Sequence, residues 1–292
     1  EHTIPNVALQ TESYNREHPS YASALRTNSV DDLSRALRRD GTQLSPIEDA
    51  LIEEMLAQSR DCDRAQKSPV WQTAEANRLS ARAMVAADLS DRLAFQADTP
   101  EMAAIRAHYG ISASGALNSP EASAALAAMA IKSGLSRCVS FQANSQSLDT
   151  HFTNWQEDHG PILQGGFDLV AKLIDDLAGS QYENTSESWL DHTVIMGFSE
   201  FSRTPRVNQN GGRDHWLLNA CFLAGGSVRG GQVIGESRAV GMDPTPINLS
   251  TGGLDSSGEV VRPEHILQTL YSEVGIGDEA DLRVSGIDAL LI

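Results

Sequence analysis

Cysteine is scarce in this chain of 292 residues: Cys62, Cys138 and Cys221 stand far apart and form no Cys-x-x-Cys pair. That argues against a cysteine-based zinc site. One disulfide in an oxidising compartment would leave a thiol over. Cys138 and Cys221 fall in apolar, strand-like runs and read as buried free thiols. Aromatic residues are only 5% of the chain, so a core must be built from small and aliphatic side chains. No apolar run approaches the roughly 18 residues of a membrane-spanning helix. Neither a Gly-x-Ser-x-Gly elbow nor a Gly-x-x-x-x-Gly-Lys phosphate loop occurs. The glycine-rich stretch 225–231 lacks the lysine and the helix of such a loop; it reads as a turn between two strands, the second at 232–234. Basic residues are outnumbered, 22 against 39 acids, for a formal charge of -17. Such a chain repels DNA, RNA and anionic lipid at long range, so no nucleic-acid partner is expected unless a metal bridges the phosphates. No signal peptide is visible and the chain does not begin with Met, as expected of a mature product or a piece of a longer protein.

Hydrophobic residues make up 40% of the sequence, enough for a real core. Residues 1–45 read as irregular chain with short pieces of structure, among them a short helix capped by Ser29, carrying Leu33, Ala36 and Leu37 and ending at Gly41; the first half has at most short strands. Ser45-Pro46 announces a second helix with Ala50, Leu51, Met55 and Leu56 inward and Glu48, Asp49, Glu53 and Glu54 toward solvent. Further helices are expected over 72–95, 101–109 and 121–133, the last ending at Gly134. Residues 1–135 are therefore a mainly helical region packed as part of the same domain as the rest.

Residues 136–292 change character. A short strand is expected at 138–141. An amphipathic helix follows at 162–178, with Leu163, Phe167, Val170, Ile174 and Leu177 at spacings of three and four. A strand at 193–198 shows little alternation and reads as buried on both faces. Another is expected at 220–224, and Pro263 opens a final helix. This rhythm is that of an α/β domain, which places its ligands in loops beyond the carboxyl ends of its strands.

Polar residues cluster in those loops. Asp149 and His151, two apart, face the same way on extended backbone and can share a divalent cation. Glu200 can ligate a metal or act as a base, and Arg203 can hold an oxyanion through two parallel hydrogen bonds; the plain alternative is a Glu200–Arg203 ion pair that orders the loop. Asp214 and His215 are adjacent in a glycine-containing loop that can present both to one centre. Trp216 either walls the site or packs in the core. His159 and His192 read as local hydrogen-bonding residues, with a supporting role around the site as the alternative.

Taken together, Asp149-Thr150-His151, Ser199-Glu200-Phe201-Ser202-Arg203-Thr204, Asn210-Gly211-Gly212-Arg213-Asp214-His215 and the 225–231 segment resemble the motifs of the bacterial domain-of-unknown-function 1501 family, placed with the alkaline phosphatase and sulfatase-like superfamily. The match is specific over roughly 138–240 and looser in the helical half; Ser202 stands where the family usually has Gly. The resemblance implies an alkaline phosphatase-like sandwich, with helices flanking a mostly parallel sheet, and a periplasmic, cell-surface or secreted location. It also implies that an N-terminal portion is missing. A longer chain or a partner chain then supplies it, or the site is incomplete.

The function this implies is metal-dependent hydrolysis of a phosphate or sulfate ester. Asp149, His151, Glu200, Asp214 and His215 would surround one or two divalent ions (zinc, calcium, magnesium or manganese). Glu200 and Arg203 would be the catalytic groups, Arg203 stabilising the transferred anion. The rival is a non-catalytic exported structural or assembly protein on the same fold, binding a structural cation.

Overall fold

Near-continuous burial of Ile4, Val7, Ala8 and Leu9 marks a strand covered on both faces. That strand, β1 (Ile4–Leu9), is the centre of a parallel sheet of order β2-β1-β3, with β2 at Leu25–Thr27 and β3 at Ser136–Phe141. Its register sets Val7 opposite Leu25 on one side and Val139 on the other. The stretch expected to be irregular thus supplies the middle strand. The computed structural model describes residues 4–11, 24–38, 44–60, 89–153, 155–278 and 282–292, with scattered residues between 68 and 82. The architecture is α/β, with helices flanking small parallel and antiparallel sheets. It divides into two units, Glu1–Ser147 with Pro161–Asp176, and Leu148–Gly160 with Leu177–Ile292.

In the first unit the helices follow their caps. Helix α1 (Val30–Leu37) starts where Ser29 Oγ accepts the Asp32 N–H at 3.1 Å. Helix α2 (Pro46–Arg60) starts with a reciprocal box, Ser45 N–H to Glu48 and Glu48 N–H to Ser45. Helices α3 (Pro100–Tyr109) and α4 (Pro120–Lys132) carry Pro in their first turn behind Thr99 and Ser119 caps. Gly110 closes α3 in the left-handed region, at φ 85°. The alanines of α4 are almost all buried, because only small side chains let a helix lie close against its neighbours.

Three sequence expectations need correction here. The acidic face of α2 is outward only in part: Glu48 and Glu54 are exposed as expected, but Asp49 and Glu53 pair with Arg82 and Arg78, while Leu51 and Met55 stand exposed. The helix expected at 162–178 is longer, α5 (Trp155–Gly179), with Pro161 inside it. Its buried stripe runs through Leu169, Leu173 and the expected Leu177; Leu163, Val170 and Ile174 are half-buried at its edge and Phe167 is exposed, so the buried face is turned part-way from the expected one. Asp176 fixes that rotation by accepting from Tyr109 Oη at 2.7 Å and from Lys132 Nζ at 2.6 Å. Finally, Cys138 is exposed and Cys221 half-buried rather than buried; partial desolvation still pushes both thiols up from their ordinary pKa. The helix expected at 72–95 and the Gly41 stop lie largely outside the described residues; those described from 70 to 82 are helical, and Leu89–Leu93 form a 3₁₀ turn.

In the second unit the expected mostly parallel sheet gives way to two small antiparallel ladders. Strand β4 (Val194–Gly197) pairs with β7 (Phe222–Gly225), and β5 (Ser202–Arg203) with β6 (His215–Trp216). No helix lies between β4 and β7, so the chain returns alongside without the crossover that parallel pairing requires. The residues of β4 are half-buried rather than covered on both faces. Residues 232–234 form no strand; Ile234 instead packs on a small core of Ile247, Ile287 and Ala289 beside helix α6 (Pro263–Glu273). Among the described residues no helix is long and apolar enough to cross a membrane.

Candidate metal centre

The β5–β6 register sets Arg203 opposite His215, so both side chains leave the same face of the ribbon. The segment after β3 brings Asp149 and His151 to that face. One ligand atom from each of Asp149, His151 and His215 lies within 4.8 Å of the others, and these three residues form a cluster that can hold a metal ion. His215 Nε2 is 4.0 Å from Asp149 Oδ1. The set of one carboxylate and two imidazoles suits a first-row divalent cation and leaves a coordination position open, as catalytic sites do.

Without a cation the polar groups satisfy one another. His151 Nδ1–H donates to Asp149 Oδ1 at 2.5 Å, and Arg203 Nη2 donates to the same oxygen at 2.9 Å. Arg203 Nη1 lies 3.3 Å from His151 Nε2 and 3.5 Å from its Nδ1. Partial desolvation pushes the Asp149 carboxyl up, but the Arg203 hydrogen bond and the charges of His151 and Arg203 outweigh it and hold the group below its ordinary pKa. A cation therefore competes with Arg203 for Asp149 and His151. Arg203 is only 12% exposed while Asp149 is 58% exposed, so a nearly buried guanidinium backs an open carboxylate. The Phe201 ring completes this wall, 4.1 Å from the His215 ring and 5.5 Å from the Arg203 guanidinium carbon.

The remaining expected residues are placed differently. Glu200 is exposed on the loop between β4 and β5 and is not one of the three clustered ligands; the partner of Arg203 is Asp149 rather than Glu200. Asp214 also stands outside the three and accepts from Asn208 Nδ2 at 2.7 Å. Trp216 is half-buried, on the opposite face of the ribbon from its neighbour His215. His192 pairs with Glu187 at 2.7 Å and stacks on Tyr182. His159 does support the site: its Nδ1 meets Thr150 Oγ1 at 3.1 Å, directly between the two ligands Asp149 and His151. Burial, with the charges of Arg203 and Arg213 behind it, lowers the His159 pKa and favours the neutral ring. Neither nearby hydroxyl is an obvious nucleophile. Thr150 is buried and tied to His159, and Ser199 Oγ donates to Phe201 O at 2.9 Å.

Residues 11–277 match the family described as Protein of unknown function (DUF1501). The chain belongs to the DUF1501 family. No curated protein and no solved structure matches it. The DUF1501 match takes in all three clustered ligands, Arg203 and the residues that brace them.

What sequence reasoning missed is the brace. Asn208, Thr150 and Phe201 lie within or beside the recognised motifs, and only their contacts separate them from ordinary loop residues.

Proposed function

We propose that this chain is a metal-dependent hydrolase of small phosphate or sulfate esters, built as an alkaline phosphatase-like α/β sandwich and exported to the periplasm or cell surface. The observation that carries the reading is the Asp149–His151–His215 cluster beside the nearly buried Arg203. A divalent ion at the cluster supplies Lewis acidity and lowers the pKa of a coordinated water. Arg203 presents a planar guanidinium, suited to two oxygens of a tetrahedral anion. The Phe201 ring packs on the His215 ring and helps hold that ligand in place. His159 stays neutral and holds Thr150, so the ligand segment keeps its orientation. Glu200 and Asp214 remain candidate acid–base or additional ligand groups, from the loops on either side of the β5–β6 ribbon.

One observation favours the rival reading of a non-catalytic structural or assembly protein. Asp149 is already paired with Arg203 and His151, so these loops are joined by contacts among their own side chains. The two readings separate in one experiment. Zinc, manganese, magnesium and calcium are titrated into the chelator-treated protein, and aryl phosphate and aryl sulfate turnover is followed for wild type, His151→Ala and His215→Ala. Metal-dependent turnover lost in both variants supports the hydrolase. Tight metal binding with no turnover supports the structural role, and no binding at all removes the metal centre. Fractionation of cells expressing the native gene, with recovery from the periplasm or surface, tests the location.

A further inference from the structure

The loop between β5 and β6 carries one residue whose side chain is bonded at every position it offers. Asn208 Nδ2 donates to the His151 carbonyl at 3.2 Å and to Asp214 Oδ1 at 2.7 Å. Asn208 Oδ1 accepts the backbone N–H groups of Asn210 and Gly212, both at 2.9 Å. Its own backbone closes the turn, N–H to Gly212 O at 2.8 Å and O from Gly211 N–H at 3.1 Å. The amide thus touches both segments that supply the cluster: it grips the backbone of ligand His151, and it holds the residue just before ligand His215. The Arg213 N–H bond to Thr150 O at 2.9 Å runs parallel to that link.

We propose that Asn208 is the positioning residue of the metal centre, setting the separation of His151 and His215 through its two donors; the proposal rests on the metal reading above. Only an amide does this. Aspartate keeps the acceptor for Asn210 and Gly212 but places an oxygen against the His151 carbonyl and the Asp214 carboxylate, both acceptors. Serine is too short to reach either. The turn and the positioning function are therefore separable by substitution.

The test uses cobalt(II), whose visible spectrum reports ligand number and geometry, on the full chain as wild type, Asn208→Asp, Asn208→Ser and Asn210→Ala. Asn210 enters the network through its backbone N–H, so its variant serves as the control. Expected is a roughly 10- to 100-fold weaker cobalt affinity in both Asn208 variants, the range seen when groups orienting metal ligands are removed. An altered visible band should accompany it, with a metal-free thermal midpoint in Asn208→Asp close to that of Asn210→Ala. Wild-type affinity and spectrum in both Asn208 variants would overturn the proposal while leaving the metal centre standing. A metal-free midpoint that falls in step with affinity in both variants would also overturn it, by showing a merely structural role. Absence of cobalt binding by wild type would remove the metal reading and this proposal together.

Discussion

Gly212→Ala is the substitution whose consequence is most directly fixed by distance. A Cβ at Gly212 would lie 2.0 Å from the His151 carbonyl carbon and 2.2 Å from both His151 O and Phe152 N. Ordinary contact begins near 3.4 Å, so the two backbones must part by about 1.4 Å. The φ of Gly212 is not in the left-handed region, and the penalty is purely steric. A separation of that size stretches the Arg213 N–H to Thr150 O bond, now 2.9 Å, beyond hydrogen-bonding range, and the Asn208 bond to His151 O, now 3.2 Å, with it. Overpacking together with two lost hydrogen bonds gives an expected destabilisation of about 2–4 kcal/mol. Because the displaced backbone belongs to a ligand, metal affinity should also fall by about tenfold or more. Urea unfolding of the metal-free protein measures the first quantity and metal titration the second. Gly253→Ala is the control, since its Cβ meets nothing closer than 3.5 Å. If Gly212→Ala unfolds at the wild-type midpoint and binds metal as wild type does, the close packing of these two segments is not what holds the site.

Other expectations are simpler to state. Asp149 is held below its ordinary pKa, so its contribution to stability is present above about pH 4, the unfolded value, and is lost as pH falls through the lower folded value; the stability difference between wild type and Asp149→Asn should be flat at neutral pH and shrink only in acid. His159 is also depressed, but as a base, so the unfolded chain takes up its proton first. Stability should decline as pH falls below about 6.5 and level off below the folded pKa, and His159→Gln should flatten that slope in pH-dependent unfolding. Ser119→Ala removes the oxygen that accepts the Ala122 N–H at the start of α4 and should cost about 1 kcal/mol in chemical unfolding. Leu126→Ala, on the buried face of the same helix, should cost about 2–5 kcal/mol by the same measurement.

Local features of the chain were legible wherever a local rule governed them. Ser29, Ser45-Pro46 and Pro263 marked helix starts because caps and first-turn prolines act within one turn. Strand β3, β4 and β7 were found within a few residues of their bounds, and Asp149, His151 and His215 were singled out because carboxylate and imidazole are the donors a divalent cation takes. Strand β1 was passed over: its burial depends on two neighbours, one of them more than a hundred residues away in the chain. The face of α5 was read only in part, with Leu177 buried as expected and Phe167 exposed, because periodicity names a stripe, whereas Tyr109 and Lys132 help set the rotation by holding Asp176.

The sequence by itself determined the kinds of group available and the elements that carry them, since propensity, capping and donor chemistry belong to single residues or single turns. Only the tertiary structure decided which groups meet. It joined Asp149 to Arg203 rather than Glu200 to Arg203, drew His215 to the 149–151 segment, and left Glu200 in solvent. Those outcomes turn on the register of a two-residue ladder and the close approach of Gly212 to His151, distances set by packing between segments far apart in the chain.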